Sequence, residues 1–197
     1  MFPWGVFLLF LASSCFAPGP NVFTGIAMAQ TYNLRQSAKF SFGVLLGISA
    51  LAFVCCLFSA FIAQLLPSAE KILAVLSAIY FSYLAFVTLR SKPNEEKKTY
   101  ARPTGILMGA VMQLINPQAF PYCLGAVSAY IAPHADTIPE YLLYVSIMGI
   151  VAFVAIMLWS VFGVTLQRIF KNRYIIVNIV LALLLMYCAL NVLRGVF

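Results

Sequence analysis

The chain has 197 residues, of which 63% are hydrophobic and 9% are charged, and its formal net charge is +7. Soluble domains contain about 45–50% apolar and about 25% charged residues, so this composition argues against a soluble fold and predicts an all-α membrane protein. The basic residues lie in short segments between apolar runs. This pattern is typical of membrane topology and argues against a nucleic-acid partner.

Six apolar stretches are long enough to cross a lipid bilayer as helices, because one span needs about 20 mostly apolar residues. They cover residues 4–29, 40–66, 71–90, 104–132, 141–167 and 174–194, and their interiors contain no Asp, Glu, Lys or Arg. A polar linker, residues 91–103, separates a first half, 1–90, from a second half, 104–197. Each half has three spans, an odd number, so the halves enter the membrane from opposite sides. This predicts two inverted three-helix repeats.

The basic residues also predict an orientation. If the N-terminus lies outside, the inner segments hold most of the Lys and Arg residues: Arg35, Lys39, Arg90, Lys92, Lys97, Lys98, Arg102, Arg168, Lys171 and Arg173. Positively charged residues favour the cytoplasmic side of a membrane. Both termini are therefore expected on the outer side.

Two of the six spans contain helix-breaking sequences. The first span reads "APGPN" and the fourth reads "QLINPQAFPYC". Proline lacks an N–H and glycine weakens a helix, so spans one and four are predicted to be interrupted at PGPN and at NP. Interrupted spans at corresponding positions of two inverted halves indicate a binding site near the bilayer midplane. The candidate substrate-binding residues are Pro18, Gly19, Pro20, Asn21, Gln113, Asn116 and Pro117.

An interrupted helix offers charge without ionised side chains. Its N–H end carries partial positive charge and its carbonyl end partial negative charge. Two such breaks can hold a small zwitterion, with its carboxylate at N–H groups and its ammonium at carbonyls. The amides of Asn21 and Asn116 add donors and acceptors at the same depth. The alternative is that the prolines only kink ordinary helices and that the buried amides only connect helices.

Five cysteines, Cys15, Cys55, Cys56, Cys123 and Cys188, all lie in apolar stretches. Their spacing predicts neither a metal site nor a disulfide framework, and no cofactor is expected. Cys15 and Cys123 lie near the two breaks, so a membrane thiol-electron carrier is an alternative function. The spans contain no acid, base or nucleophile cluster that would predict an enzyme. The small residues of "GVLLG", Gly43–Gly47, predict close helix packing and leave room for a homodimer.

The chain resembles the LysE/RhtB family of bacterial amino-acid exporters. The resemblance covers essentially the whole chain and rests on the inverted plan, on "PGPN" in the first span and on "NPQAFPY" in the fourth. "LRQSAKF", "QLINPQAFPYCLGAVSAYIAP" and "NIVLALLLMYCALNVL" resemble its cysteine/O-acetylserine exporter branch. The resemblance implies a multi-pass protein of the bacterial inner membrane with periplasmic termini. It implies export of cysteine, O-acetylserine or similar neutral amino acids to the periplasm. By motif, the family's residues carry over to Pro18, Gly19, Pro20, Asn21, Asn116 and Pro117.

One position departs from the family pattern. Many members have an aspartate in the second span, where this chain has Ala52 in "GISALAF". A buried acid is the usual proton relay of transporters, so both proton-coupled and facilitated transport remain open here. The absence of span carboxylates also argues against cationic substrates, because a desolvated ammonium side chain requires an anionic partner.

Overall fold

The computed structural model describes residues 2–17, 19–90, 105–116, 118–169 and 174–194, and all regular structure in these ranges is helical. The predicted linker, 91–103, lies outside the described residues. The helices are α1 Trp4–Phe16, α2 Pro20–Thr31, α3 Leu34–Arg90, α4 Ile106–Ile115, α5 Ala119–Ala126, α6 Ile138–Ile169 and α7 Tyr174–Arg194. A π-helical turn, Val127–Ile131, continues α5.

Two helical segments in the described ranges are continuous, long and apolar enough to cross a membrane. They are Leu34–Phe58 and Ile138–Leu166, with mean hydropathies of 2.4 and 2.5. The pair α1 and α2, bent by 53° at its break, forms a third span if it is counted as one. The described residues thus support two or three of the six spans by length and composition, and the six-span inverted repeat remains a prediction.

The boundary between the second and third predicted spans differs from the expectation. The sequence placed a connection between residues 66 and 71, but the backbone is helical there. The non-helical backbone lies instead at Phe58, with φ −133° and ψ 31°. Phe58 is neither Pro nor Gly, so the position of this break follows from no local helix-breaking signal.

The surface of the helices is apolar, as expected for contact with lipid. Leu107 is 77% exposed, and many other large apolar side chains on α1, α3, α6 and α7 also point outward. Soluble monomers rarely expose apolar patches of this extent. The exposed residues therefore support a membrane environment for the helices.

Each broken segment packs against the long helix of the other half of the chain. The helices α1 and α2 lie against α6, and α2 also lies against α3, whereas α4 and α5 lie against α3. Buried hydroxyls strengthen the first of these contacts. Ser37 Oγ donates to the carbonyl of Gly25 (3.0 Å) and lies 2.8 Å from Ser160 Oγ, which joins α2, α3 and α6. The two breaks are thereby held side by side between α3 and α6.

The glycines of α3 allow α4 to approach closely. A methyl group added at Gly43 would lie 2.9 Å from Gly109 Cα, and one added at Gly47 would lie 2.8 Å from the carbonyl oxygen of Ala110. The prediction of close helix packing at Gly43–Gly47 is confirmed. This surface is occupied within the chain, so a homodimer, which remains a prediction, would need a different surface.

We expect Gly43→Ala to lower stability by about 1–3 kcal/mol, because the added methyl overpacks against the backbone of α4. The measurement is the apparent melting temperature of the purified protein in detergent. Gly125→Ala is the matched control, since Gly125 lies in α5 with no atom within 4 Å of the added methyl. Equal melting temperatures for the two variants would contradict the close contact.

Candidate functional site

The first break separates α1 from α2 and points the N-terminus of α2 into the protein. Ala17 ends α1 with extended backbone, and Gly19 precedes α2 with φ −136° and ψ −174°. Pro20 is the first residue of α2, where its missing N–H removes no helical hydrogen bond. The N–H groups of Asn21 and Val22 follow in the first turn, where a helix has no carbonyl to accept from them. They form a site of partial positive charge.

The second break is organised by one buried asparagine. Asn116 ends α4, and its N–H donates to the carbonyl of Met112 (2.9 Å). Its own carbonyl accepts from Ala119 N (3.0 Å), and its Oδ1 accepts from Gln118 N (3.0 Å). Asn116 therefore ends α4, and its side chain holds the turn that leads into α5. This double role explains an Asn at a break inside an apolar segment.

A cavity of about 390 Å³ lies between the two breaks. This volume is near the lower end of the range for small-molecule sites, about 300–1,000 Å³. None of its lining side chains in the described ranges is charged. The lining residues are Phe10, Ser14, Cys15, Ala17, Gly19, Pro20, Asn21, Val22, Ile48, Gln113, Asn116, Gln118, Ala119, Pro121, Tyr122, Ala152 and Ile156.

Two amides link the halves of the chain across this cavity. Asn21 Nδ2 donates to Gln113 Oε1 (3.0 Å), and Gln113 Nε2 donates back to Asn21 Oδ1 (3.3 Å). Gln113 Nε2 also donates to the carbonyl of Gly109 (3.2 Å), one turn earlier in α4. Gln113 is completely buried. The pair therefore fixes the start of α2 relative to α4 and presents amide groups to the cavity.

A thiol and an aromatic pair form another part of the wall. Cys15 Sγ lies 3.3 Å from the hydroxyl of Tyr122. The ring of Phe10 stacks on the ring of Tyr122, with centroids 5.9 Å apart and an interplanar angle of 7°. Tyr122 belongs to α5 and Phe10 to α1. These contacts join the helices that precede the first break and follow the second.

The structure brings five of the seven predicted site residues to one cavity: Gly19, Pro20, Asn21, Gln113 and Asn116. Pro18 and Pro117 lie outside the described residues. Sequence reasoning missed Phe10, Gln118 and Tyr122 as cavity residues. Tyr122 follows the NP motif closely in the sequence. Its contact with Cys15, however, joins residues 107 positions apart, and no local sequence pattern predicts it.

The two cysteines of the alternative thiol function occupy different environments. Cys15 lines the cavity, whereas Cys123 is completely buried and points its Sγ toward the carbonyl of Ile48 (4.0 Å). Ala52, at the position of the expected acid, is also completely buried, and it is absent from the cavity lining.

A second hollow, of about 400 Å³, lies between α2, α6 and α7. Its lining is almost entirely apolar, with Gln30 as its amide residue. Gln30 Nε2 donates to the carbonyl of Gly163 (2.8 Å). The cavity at the breaks is therefore the better candidate for a polar solute.

A cavity formed by the ends of broken helices and by uncharged amides is typical of secondary transporters. A family model described as LysE type translocator matches residues 12–195. Proteins of Escherichia coli and Shigella flexneri, each named cysteine/O-acetylserine efflux protein, are 27% identical to this chain over 175 residues, 89% of each chain. No solved structure matches the chain.

The chain belongs to the LysE translocator family, which confirms the resemblance drawn from the PGPN and NP motifs. The family and the names of its relatives indicate a transporter rather than an enzyme. Together with the apolar helices, they identify a membrane protein.

We expect Asn21 and Gln113 to be energetically coupled. A double-mutant cycle of Asn21→Ala and Gln113→Ala, measured by unfolding in mixed detergent micelles, should give a coupling free energy of about 0.6–1.7 kcal/mol, as for other hydrogen bonds between membrane helices. The control cycle pairs Asn21→Ala with Gln30→Ala, because Gln30 bonds to Gly163 instead. Additive effects in both cycles would contradict the amide link.

Proposed function

We propose that this protein exports small neutral amino acids or their derivatives, cysteine and O-acetylserine above all, from the cytoplasm to the periplasm. The single observation that carries the proposal is the uncharged cavity between the two breaks, where Asn21, Gln113 and Asn116 converge with helix ends. A zwitterion needs both signs of partial charge and no net countercharge. Helix ends supply both.

The first turn of α2 is the proposed carboxylate site. Its Asn21 and Val22 N–H groups lack helical acceptors, and both residues line the cavity. The ammonium group is proposed to lie at the carbonyls that end α1 and at the amide oxygens. Gly19 and Pro20 leave the backbone accessible here, and Pro18 and Pro117 are assigned to the same site from the motifs.

The proposed architecture is six spans in two inverted repeats, within the bacterial inner membrane and with both termini in the periplasm. The packing of the broken pairs supports it, because the first pair packs on α6 as well as on α3, and the second packs on α3. The distribution of basic residues supports the orientation. The proposed substrates are supported by the names of relatives that are 27% identical to this chain.

The direct test is counterflow of labelled amino acids in proteoliposomes. Protein-containing vesicles should exchange cysteine and O-acetylserine faster than empty vesicles and should not exchange lysine, since the described cavity lining is uncharged. Running the assay with and without a pH gradient tests proton coupling. Equal rates in protein-containing and empty vesicles for every amino acid would refute the proposal.

The site assignment predicts unequal effects of four amide substitutions. Asn21→Ala and Asn116→Ala should reduce export at least about 10-fold, the effect of losing roughly 1.4 kcal/mol of substrate stabilisation. Asn178→Ala and Gln30→Ala should change it less, because neither residue lines the cavity. Export is measured at equal membrane abundance. If all four variants lose export equally, the amides of the cavity have no special role.

Cys123→Ser separates the exporter from a thiol-electron carrier. An exporter should retain export within about twofold, since Cys123 is absent from the cavity lining and a serine hydroxyl in a helix can donate to the carbonyl one turn earlier. A carrier that uses Cys15 and Cys123 would lose all function. The measurement is counterflow of O-acetylserine by wild type and variant.

A further inference from the structure

The cavity has a second, chemically distinct wall that the site predicted from the motifs does not include. Phe10 and Cys15 from α1 and Tyr122 from α5 form it. We propose that these three residues are the subsite for the substrate side chain and that they select short uncharged side chains ending in a thiol or an ester carbonyl. This inference rests on the proposed export function and adds the basis of its selectivity.

The hydroxyl of Tyr122 is well placed to exchange its partner for a substrate atom. In the part of the chain that the structure describes, its side-chain hydrogen-bond partner is Cys15 Sγ, at 3.3 Å. A thiol is a weak donor and a weak acceptor, whereas a tyrosine hydroxyl is a full donor and acceptor. A substrate thiol or ester carbonyl can therefore replace or join the Cys15 contact with little loss.

Stacking fixes the ring that carries this hydroxyl. Phe10 lies parallel to Tyr122 and also contacts Tyr130, whose ring centroid is 5.4 Å away. The ring of Tyr130 is in turn 5.7 Å from Phe7, which is completely buried. Phe10 is thus held by neighbouring rings and restrains the ring of Tyr122 on which it stacks, and a restrained ring keeps its hydroxyl in one place, as a selective site requires.

Three amide side chains of the cavity already bond within the protein. Asn21 and Gln113 bond to each other, and Asn116 Oδ1 accepts from Gln118 N. They suit the constant part of an amino acid, next to the first turn of α2. The Tyr122 hydroxyl and the Cys15 thiol are assigned to the variable part, and the side chains of Ser14 and Gln118 also line the cavity. A charged side chain would find no countercharge among the described lining residues and is excluded.

Selectivity is tested with a pair of solutes that differ in one group. L-Cysteine and L-2-aminobutyrate differ by a thiol in place of a methyl group, and each is tested as a competitor of O-acetylserine counterflow. Tyr122→Phe should reduce the preference for cysteine over 2-aminobutyrate by about 2–10-fold, the range for one lost hydrogen bond. Tyr130→Phe removes a hydroxyl from the same aromatic cluster outside the cavity and should keep the wild-type preference.

Thiol labelling gives a second readout that does not depend on Tyr122→Phe being folded. A variant with Cys55, Cys56, Cys123 and Cys188 replaced by alanine keeps Cys15 as its one thiol. O-acetylserine should slow the reaction of Cys15 with a membrane-permeant maleimide, and lysine should not.

Each outcome has a separate meaning. If the wild type transports O-acetylserine, the subsite is refuted by an unchanged preference in a folded Tyr122→Phe variant. It is equally refuted if substrate does not protect Cys15 in a transport-competent protein. If wild-type vesicles transport no amino acid, the proposed function itself fails, and the subsite fails with it.

Discussion

The structure depends on the way in which two interrupted helices satisfy their backbone groups inside an apolar protein. An N–H or carbonyl without a partner is costly in hydrocarbon, so a break persists only where protein or solute groups replace the lost helical bonds. Asn116 does this for the second break, because its carbonyl and its side-chain oxygen accept from Ala119 N and Gln118 N at the turn between α4 and α5. The first break leaves the N–H groups of α2 directed at a cavity, where a carboxylate is the natural partner.

This arrangement accounts for the absence of ionised residues from the predicted spans. Helix ends provide partial charges of both signs without the desolvation cost of a buried carboxylate or ammonium. A net-neutral solute matches such a site, and a cationic one does not. Ala52, where the resemblance predicted an acid, fits the same design, because the chain has an apolar group there and completely buries it.

The two walls of the cavity differ in their chemistry. Near the start of α2, amides and backbone groups suit the common part of every amino acid. On the other wall, the stacked rings of Phe10 and Tyr122 and the thiol of Cys15 suit one kind of side chain. Both walls combine residues from the two halves of the chain.

The sequence by itself determined the membrane class, the family, the two breaks and five residues around the cavity. It could do so because proline and glycine act on their own backbone, and because span composition is a local property. Only the tertiary structure decided which distant groups meet: Asn21 with Gln113, Cys15 with Tyr122, and Gly43 with Gly109. The tertiary structure also decided that α3 breaks at Phe58 and that the Gly43–Gly47 surface contacts α4 of the same chain. Such pairings depend on how whole helices pack, and no short stretch of sequence encodes that geometry.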